Sequence, residues 1–267
     1  MLELIDISLS YNRGTATETI ALDDLSLRMP DGQFITVVGS NGAGKSSLVG
    51  VVSGEIRPTG GRILTDGVDI TELPDYRRSG RIARVFDNPH AGTMAELSIE
   101  DNMALAMDRG RRRSLRWAVT NRRRVTMRDR LAQVQLGLED RLREPVGLLS
   151  AGQRQSLTLV MASLCDPQIL LLDEHLSALD PVTQERVLQL TVQLIATMGC
   201  KSIMVTHNME HAISLGDRLI VMSGGRIVCD YVGSAKANLS VQSLIADIAA
   251  KGAVLSDRSA LAVRGQG

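Results

Sequence analysis

Cysteine, lysine and aromatic residues are all scarce in this chain, and neither sign of charge is in surplus. The three cysteines, Cys165, Cys200 and Cys229, are odd in number and lack metal-type spacing. That argues against a disulfide framework and suits free thiols filling a core in a reducing compartment. Thirty basic residues balance thirty acidic ones, so net charge alone points neither to nucleic acid nor to a membrane surface. No uninterrupted apolar run approaches the roughly twenty residues of a spanning helix, so work at a membrane would need a separate chain to supply the span. The opening Leu2, Leu4, Ile5, Ile7 and Leu9 read as a strand, not as a basic segment followed by an apolar signal core. A chain of 267 residues has room for one α/β core with an insertion.

Only four lysines stand against twenty-six arginines, and one of them, Lys45, sits in Gly39-Ser40-Asn41-Gly42-Ala43-Gly44-Lys45-Ser46. Glycine, four spacers, glycine, lysine and a hydroxyl residue is the spacing of a phosphate-binding loop. Gly39, Gly42 and Gly44 let the backbone curl until successive N–H groups face one point, and a helix opening near Lys45 adds its positive end. A compact ammonium fits between phosphate oxygens where a planar guanidinium would not. The loop is therefore expected to bind a nucleoside triphosphate, with Lys45 on the β- and γ-phosphates and Ser46 on Mg²⁺. Its context agrees, since an apolar run from Phe34 to Val38 precedes it and a helix-like run from Ser47 to Val52 follows.

Residues 1–38 carry signals for two or three strands, with Asp31-Gly32 as the turn before the strand that feeds the loop. Gly54 and Arg57-Pro58-Thr59-Gly60-Gly61 stop the following helix, and Arg62 to Ile70 reads as a hairpin about Asp66-Gly67. From about Pro89 to Asp166 the signals turn helical and arginine-rich, which marks a candidate inserted lobe. Within it Arg109 to Arg130 holds ten arginines against Asp108 and Asp129. A solvated helical face, a contact with anionic lipid or an acidic partner, and nucleic acid are the three readings, in that order. Trp117, the one aromatic residue of the run, makes no stacking platform for bases.

Ser150 with Gln153 three residues later forms a capping box, and Leu157, Val160, Met161 and Leu164 mark a helical face that ends at Asp166-Pro167. A serine beside unpaired N–H groups at such a start is also a phosphate site. Ile169-Leu170-Leu171-Leu172, apolar without alternation, suits a parallel strand buried on both faces, and it delivers Asp173-Glu174 to its carboxyl end, where such sheets place ligands. Alongside a phosphate loop, Asp173 has the chemistry to hold a Mg²⁺-bound water and Glu174 to polarise the attacking one. Ser202 to Thr206 repeats the strand pattern and brings His207 to the same edge, as a structural histidine or a γ-phosphate contact. Arg218 to Met222 and Arg226 to Asp230 form a closing hairpin about Gly224-Gly225. Val241, Leu244, Ile245 and Ile248 then give a short amphipathic helix capped by Ser240, and the last fifteen or so residues read as frayed.

Taken together these residues resemble the ATP-binding cassette family, the nucleotide-hydrolysing subunits of ABC transporters. Gly39 to Ser46 matches Walker A, Leu149-Ser150-Ala151-Gly152-Gln153 the signature sequence, and Ile169 to Glu174 Walker B. Ser177-Ala178-Leu179-Asp180 matches the D-loop, His207 the switch histidine and Tyr11 the aromatic that stacks on adenine. The resemblance covers residues 1 to about 235 and implies an α/β fold: a P-loop NTPase core with an antiparallel β subdomain and an inserted α-helical lobe at about 89–166. Residues 236–267 would add a short helix and tail. It further implies two copies of the chain, head to tail around two Mg-ATP. Glu174 would be the general base, and Lys45 and His207 would stabilise γ-phosphate charge. Ser46 and Asp173 would manage Mg²⁺. Ser40, Asn41, Ala43, Ser47, Gln153 and Asp180 would line the nucleotide with the loop glycines, while Ser150 and Gly152 would clamp the opposite copy's ATP.

The chain departs from the family at two positions. Ala151 stands where the signature usually has glycine, which helical geometry tolerates. Asp87, in Val85-Phe86-Asp87-Asn88-Pro89, stands where the Q-loop has glutamine. Its shorter, charged side chain could ligate Mg²⁺ directly and would repel the γ-phosphate without the metal. Arg84-Val85-Phe86, Ala91-Gly92-Thr93 and His175 after Glu174 look most like importer ATPases of tryptophan- or tyrosine-type systems. Such a subunit would lie in the cytoplasm, peripheral on the inner face of the membrane, with a separate permease and substrate-binding protein as partners and no nucleic acid. Ala91 to Asn102 would lie near the coupling groove. A soluble cassette ATPase for repair, translation or cluster assembly is the alternative, and a nucleotide-gated binding module with little hydrolysis is the third.

Overall fold

The computed structural model describes residues 1–110 and 117–252. In chain order β1 (Leu2–Tyr11), β2 (Thr19–Met29), β3 (Phe34–Gly39), α1 (Lys45–Ser53), β4 (Gly60–Thr65), β5 (Val68–Asp69) and α2 (Asp75–Arg78) come first. Then follow β6 (Ile82–Val85), α3 (Ile99–Met107), α4 (Asn121–Ala132), α5 (Ala151–Ser163), β7 (Ile169–Asp173) and α6 (Pro181–Met198). Last are β8 (Lys201–Val205), α7 (Met209–Ser214), β9 (Arg218–Ser223), β10 (Arg226–Val232), α8 (Ser234–Ala237) and α9 (Val241–Ala250). They group into two units, one formed by Met1–Arg78 with the chain from Lys201 onward, the other by Ser79–Cys200.

The first unit holds an antiparallel sheet in the order β2-β1-β4-β5. The alternation of β1 slips by one residue, because Leu2, Leu4, Ile7 and Leu9 are all buried. A bulge makes the slip: Asp6 lies at φ 52°, and pairing with both neighbours shifts register beside it. Gly61 across from it leaves the room, since a Cβ there would stand 2.4 Å from the Asp6 carbonyl oxygen. In the same unit β3 runs parallel to β8 and β9, and β10 returns antiparallel on β9. Every residue of β3 and β8 is buried, as expected of parallel strands covered on both faces. Leu244 and Ile248 of α9 pack with Val38, Leu219, Val221 and Cys229. The frayed tail read from the sequence lies outside the described residues.

In the second unit β6 pairs in parallel with β7, whose five residues are all buried. The helical lobe closes on Ile99, Met103, Met127, Leu131, Leu157 and Val160. Helix α4 buries only Met127 and Leu131. Its arginines divide: Arg123 pairs with Asp108 and Arg124 with Glu100, while Arg122 and Arg128 are exposed. Six residues of the arginine run, 111–116, lie outside the described residues. Helix α5 differs from the one-sided helix read from its sequence. Every residue from Arg154 to Ser163 is buried, because α3, α4, α6 and β6 all pack on it.

Candidate functional site

The phosphate loop belongs to the first unit, and its glycines are set by contact. A Cβ on Gly39 would lie 2.3 Å from the Met222 carbonyl oxygen, and one on Gly44 2.4 Å from that of Ala21. Gly42 and Gly44 hold φ of 79° and 98°, the left-handed region that favours glycine. Gly44 caps α1 with no side-chain hydrogen bond, which leaves first-turn N–H groups for an anion. Lys45 is buried and folds back over the loop, its Nζ donating to the carbonyl oxygens of Gly39 and Ser40 at 3.0 Å each. Ala43 is buried, Ser40 half-buried, and Asn41 and Ser46 are exposed. Tyr11 keeps an exposed ring, with its hydroxyl 3.3 Å from Ser47 Oγ. His207 follows β8 just ahead of Asn208, whose side chain caps α7.

The second unit carries the acidic set. Asp173 ends β7 as a buried carboxylate, and Arg84 of β6 donates to its Oδ2 at 2.8 Å. The Arg84 guanidinium also lies over the Phe86 ring, 4.6 Å from its centroid. Oδ1 of Asp173 is buried and has no hydrogen-bond partner among the described residues. Burial pushes the Asp173 carboxyl above its ordinary range; Arg84 pulls it back, and the charges of Glu174 and Asp87 push it further up. Glu174 takes φ 48°, a conformation that costs a non-glycine residue about 1–3 kcal/mol and clusters at functional sites. Asp87 is exposed two residues beyond β6.

The signature residues begin α5. Ser150 Oγ accepts from Gln153 N, and Gln153 Oε1 accepts from Ser150 N, which completes the capping box. Gly152 has a packing reason, since a Cβ there would stand 2.3 Å from Thr183 Cγ2 of α6. Asp180 caps α6 by accepting from Thr183 N, and hydrogen bonds from the Thr183 side chain and backbone hold its carboxyl below the ordinary range.

Tyr11, Gly39 to Ser47 and His207 thus lie in the first unit, whereas Asp87, Ser150, Gly152, Gln153, Asp173, Glu174 and Asp180 lie in the second. Two residues of this region were not read from the sequence as part of the site. Arg84 is a cation in a short apolar strand, which signals a buried acid without saying which. Gln155 is fully buried in α5, and its Nε2 donates to the carbonyl oxygens of Phe86 and His175 at 3.0 and 2.8 Å.

Residues 22–177 match the family model described as ABC transporter. A tyrosine transport ATP-binding protein of Clostridioides difficile is 37% identical over 245 residues, covering 92% of this chain and 97% of that protein. A methionine import ATP-binding protein of Corynebacterium efficiens is 35% identical over 224 residues, and the match spans 82% of this chain but 59% of that relative's length. Among solved structures, an ATP-binding cassette captured as a dimer in a post-hydrolysis state with ADP and Pi superposes with a TM-score of 0.74 at 26% identity. That match covers 87% of this chain and 98% of the other. A nucleotide-free cassette of an ABC transporter, at 21% identity and TM-score 0.73 over 92% of this chain and 95% of its own, shares the fold. With its phosphate loop, buried Walker B strand and capped signature helix, the chain belongs to the ABC transporter family as an ATP-binding cassette ATPase.

Proposed function

We propose that the chain is the ATP-hydrolysing subunit of a solute importer, pairing head to tail with a second copy around two Mg-ATP to drive a separate membrane permease from the cytoplasmic face. The observation that carries this reading is the state of Asp173: one oxygen is paired, the other is buried and unpartnered among the described residues, and Glu174 follows directly in a strained conformation. Among the described residues no group of three or more His, Cys, Asp or Glu side chains could hold a metal alone. The lone buried Asp173 oxygen suits Mg²⁺, which binds through one or two carboxylates together with substrate phosphates. Ser46 and Asp173, with Asp87, would hold the ion, which when bound neutralises phosphate charge.

The chain's own groups do the rest. Lys45 and the loop N–H groups bind the β- and γ-phosphates, Tyr11 stacks on the base, and His207 steadies the γ-phosphate. Glu174 takes the proton of the attacking water. Ser150, Gly152, Gln153 and Asp180 meet the nucleotide of the second copy, which gives the exposed helix start at Ser150 its use. A substrate-binding protein would deliver the cargo. Both relatives carry names for amino-acid transport, so an amino acid, aromatic by the first, is the cargo class this reading assigns.

Glu174→Gln tests the assignment. A general base is typically worth 10²–10⁴-fold, so hydrolysis of Mg-ATP should fall by that factor while nucleotide binding persists. The variant and the wild type should also co-purify with a membrane permease. Wild-type turnover by Glu174→Gln would exclude Glu174 as the base.

A further inference from the structure

We propose that Gln155 is a positioning residue: its side-chain amide braces the Asp87 loop and the Glu174 loop to the signature helix, so that the helix start at Ser150 sets the placement of the base. The inference rests on the reading of Glu174 as general base.

One amide serves two chain segments. Gln155 is 0% exposed, and its two N–H bonds go to Phe86 O, in the peptide that precedes Asp87, and to His175 O, one residue after Glu174. Both acceptors lie just past the ends of β6 and β7, where the backbone has left the ladder and needs another donor. Glu174 sits between β7 and that bond at φ 48°, a conformation that persists only when its surroundings over-determine it. The bond to His175 is one such restraint. A second is His175 itself, whose ring Nε2 lies 3.0 Å from Thr191 Oγ1 of α6. The Asp87 loop meets α5 again one turn on, where a Cβ on Gly92 would come within 3.1 Å of Thr158 Cγ2.

The brace has a direction. Residues 150–153 form a closed capping box, so the first turn of α5 is internally tied and moves with the helix. Gln155, in the next turn, converts any shift or rotation of α5 into a shift of both acceptor peptides. A nucleotide engaged at Ser150 therefore acts on this chain's own Asp87 and Glu174 through a single side chain. Packing alone does not require an amide here. Gln155 Oε1 is buried without a partner among the described residues, an unfavourable state that an apolar residue of similar volume would avoid.

Gln155→Met removes both donors at similar volume, and Gln155→Glu replaces them with acceptors facing two carbonyls. Measured on the full chain, each variant should keep its ATP dissociation constant within about twofold and still pair in Mg-ATP. Its kcat should fall about tenfold or more, equivalent to 1.4 kcal/mol or more in the barrier. Wild-type kcat in a folded variant overturns the proposal. So does a parallel loss of binding, pairing and turnover, or failure of both variants to fold, since either would assign Gln155 to core packing alone. Hydrolysis by the wild type that Glu174→Gln abolishes establishes the base separately, so a silent Gln155 variant would then remove the brace and leave the base in place.

Discussion

Gly39 illustrates how little freedom the residues of the loop have. It ends a fully buried strand, and its missing Cβ is the space filled by the Met222 carbonyl oxygen. Gly39→Ala should therefore lower thermal stability by several kcal/mol and abolish nucleotide binding, as read by melting and by a fluorescent ATP analogue; a stable variant that binds would show that β9 can retreat. Asp87→Ala should weaken Mg²⁺ affinity and transport-coupled hydrolysis if Asp87 ligates the metal, and unchanged values of both would exclude that role. The residues legible in the sequence, Lys45, Ser46, Asp173 and Glu174, belong to motifs spelled by neighbours. Arg84 and Gln155 were not legible as site residues because their partners are remote: 89 residues separate Arg84 from Asp173, and 69 separate Gln155 from Phe86. A buried cation or amide announces a need for a partner, and only the fold supplies it.

At the scale of elements, helix starts were the best-specified features. Ser150 and Ser240 each open a helix with a capping box, so the same substitution separates stability from function. Ser240→Ala and Ser150→Ala should each cost about 1 kcal/mol, a drop of roughly 2–4 °C in melting midpoint. Only Ser150→Ala should also reduce ATP hydrolysis, and equal activity of the two variants would remove Ser150 from the nucleotide site. What the pattern concealed was irregularity and enclosure. The alternation of β1 breaks at the Asp6 bulge, a backbone event no side-chain period encodes. The α5 face marked by Leu157, Val160 and Met161 is half the story, because Gln155, Ser156 and Thr158 are buried as well. Their hydroxyl and amide groups read as solvent-facing until α6 and β6 are placed.

At the scale of the whole molecule, the α/β class and its antiparallel sheet were legible from strand and turn spacing, and the order of motifs carried the family. Among the described residues no helix is long and apolar enough to cross a membrane. One ion pair tests the first unit as a pH-dependent body. Lys201, with the amino terminus, holds the Asp31 carboxyl down to about 2. A depressed carboxyl pKa contributes stability above the ordinary value near 3.8 that is lost as pH falls toward 2. The melting difference between wild type and Asp31→Asn should thus be constant above about pH 5, shrink as pH falls toward about 2 and vanish only at about pH 1; a difference that persists there would place the effect outside this pair.

The central claim is that two copies share each nucleotide, one through its phosphate loop and the other through its signature helix. Light scattering on Glu174→Gln, which should bind ATP without consuming it, tests that claim most directly. The expected result is the mass of two chains in saturating Mg-ATP and of one chain in Mg-ADP or without nucleotide. A single-chain mass in Mg-ATP, with wild-type hydrolysis per chain unchanged on dilution, would contradict it.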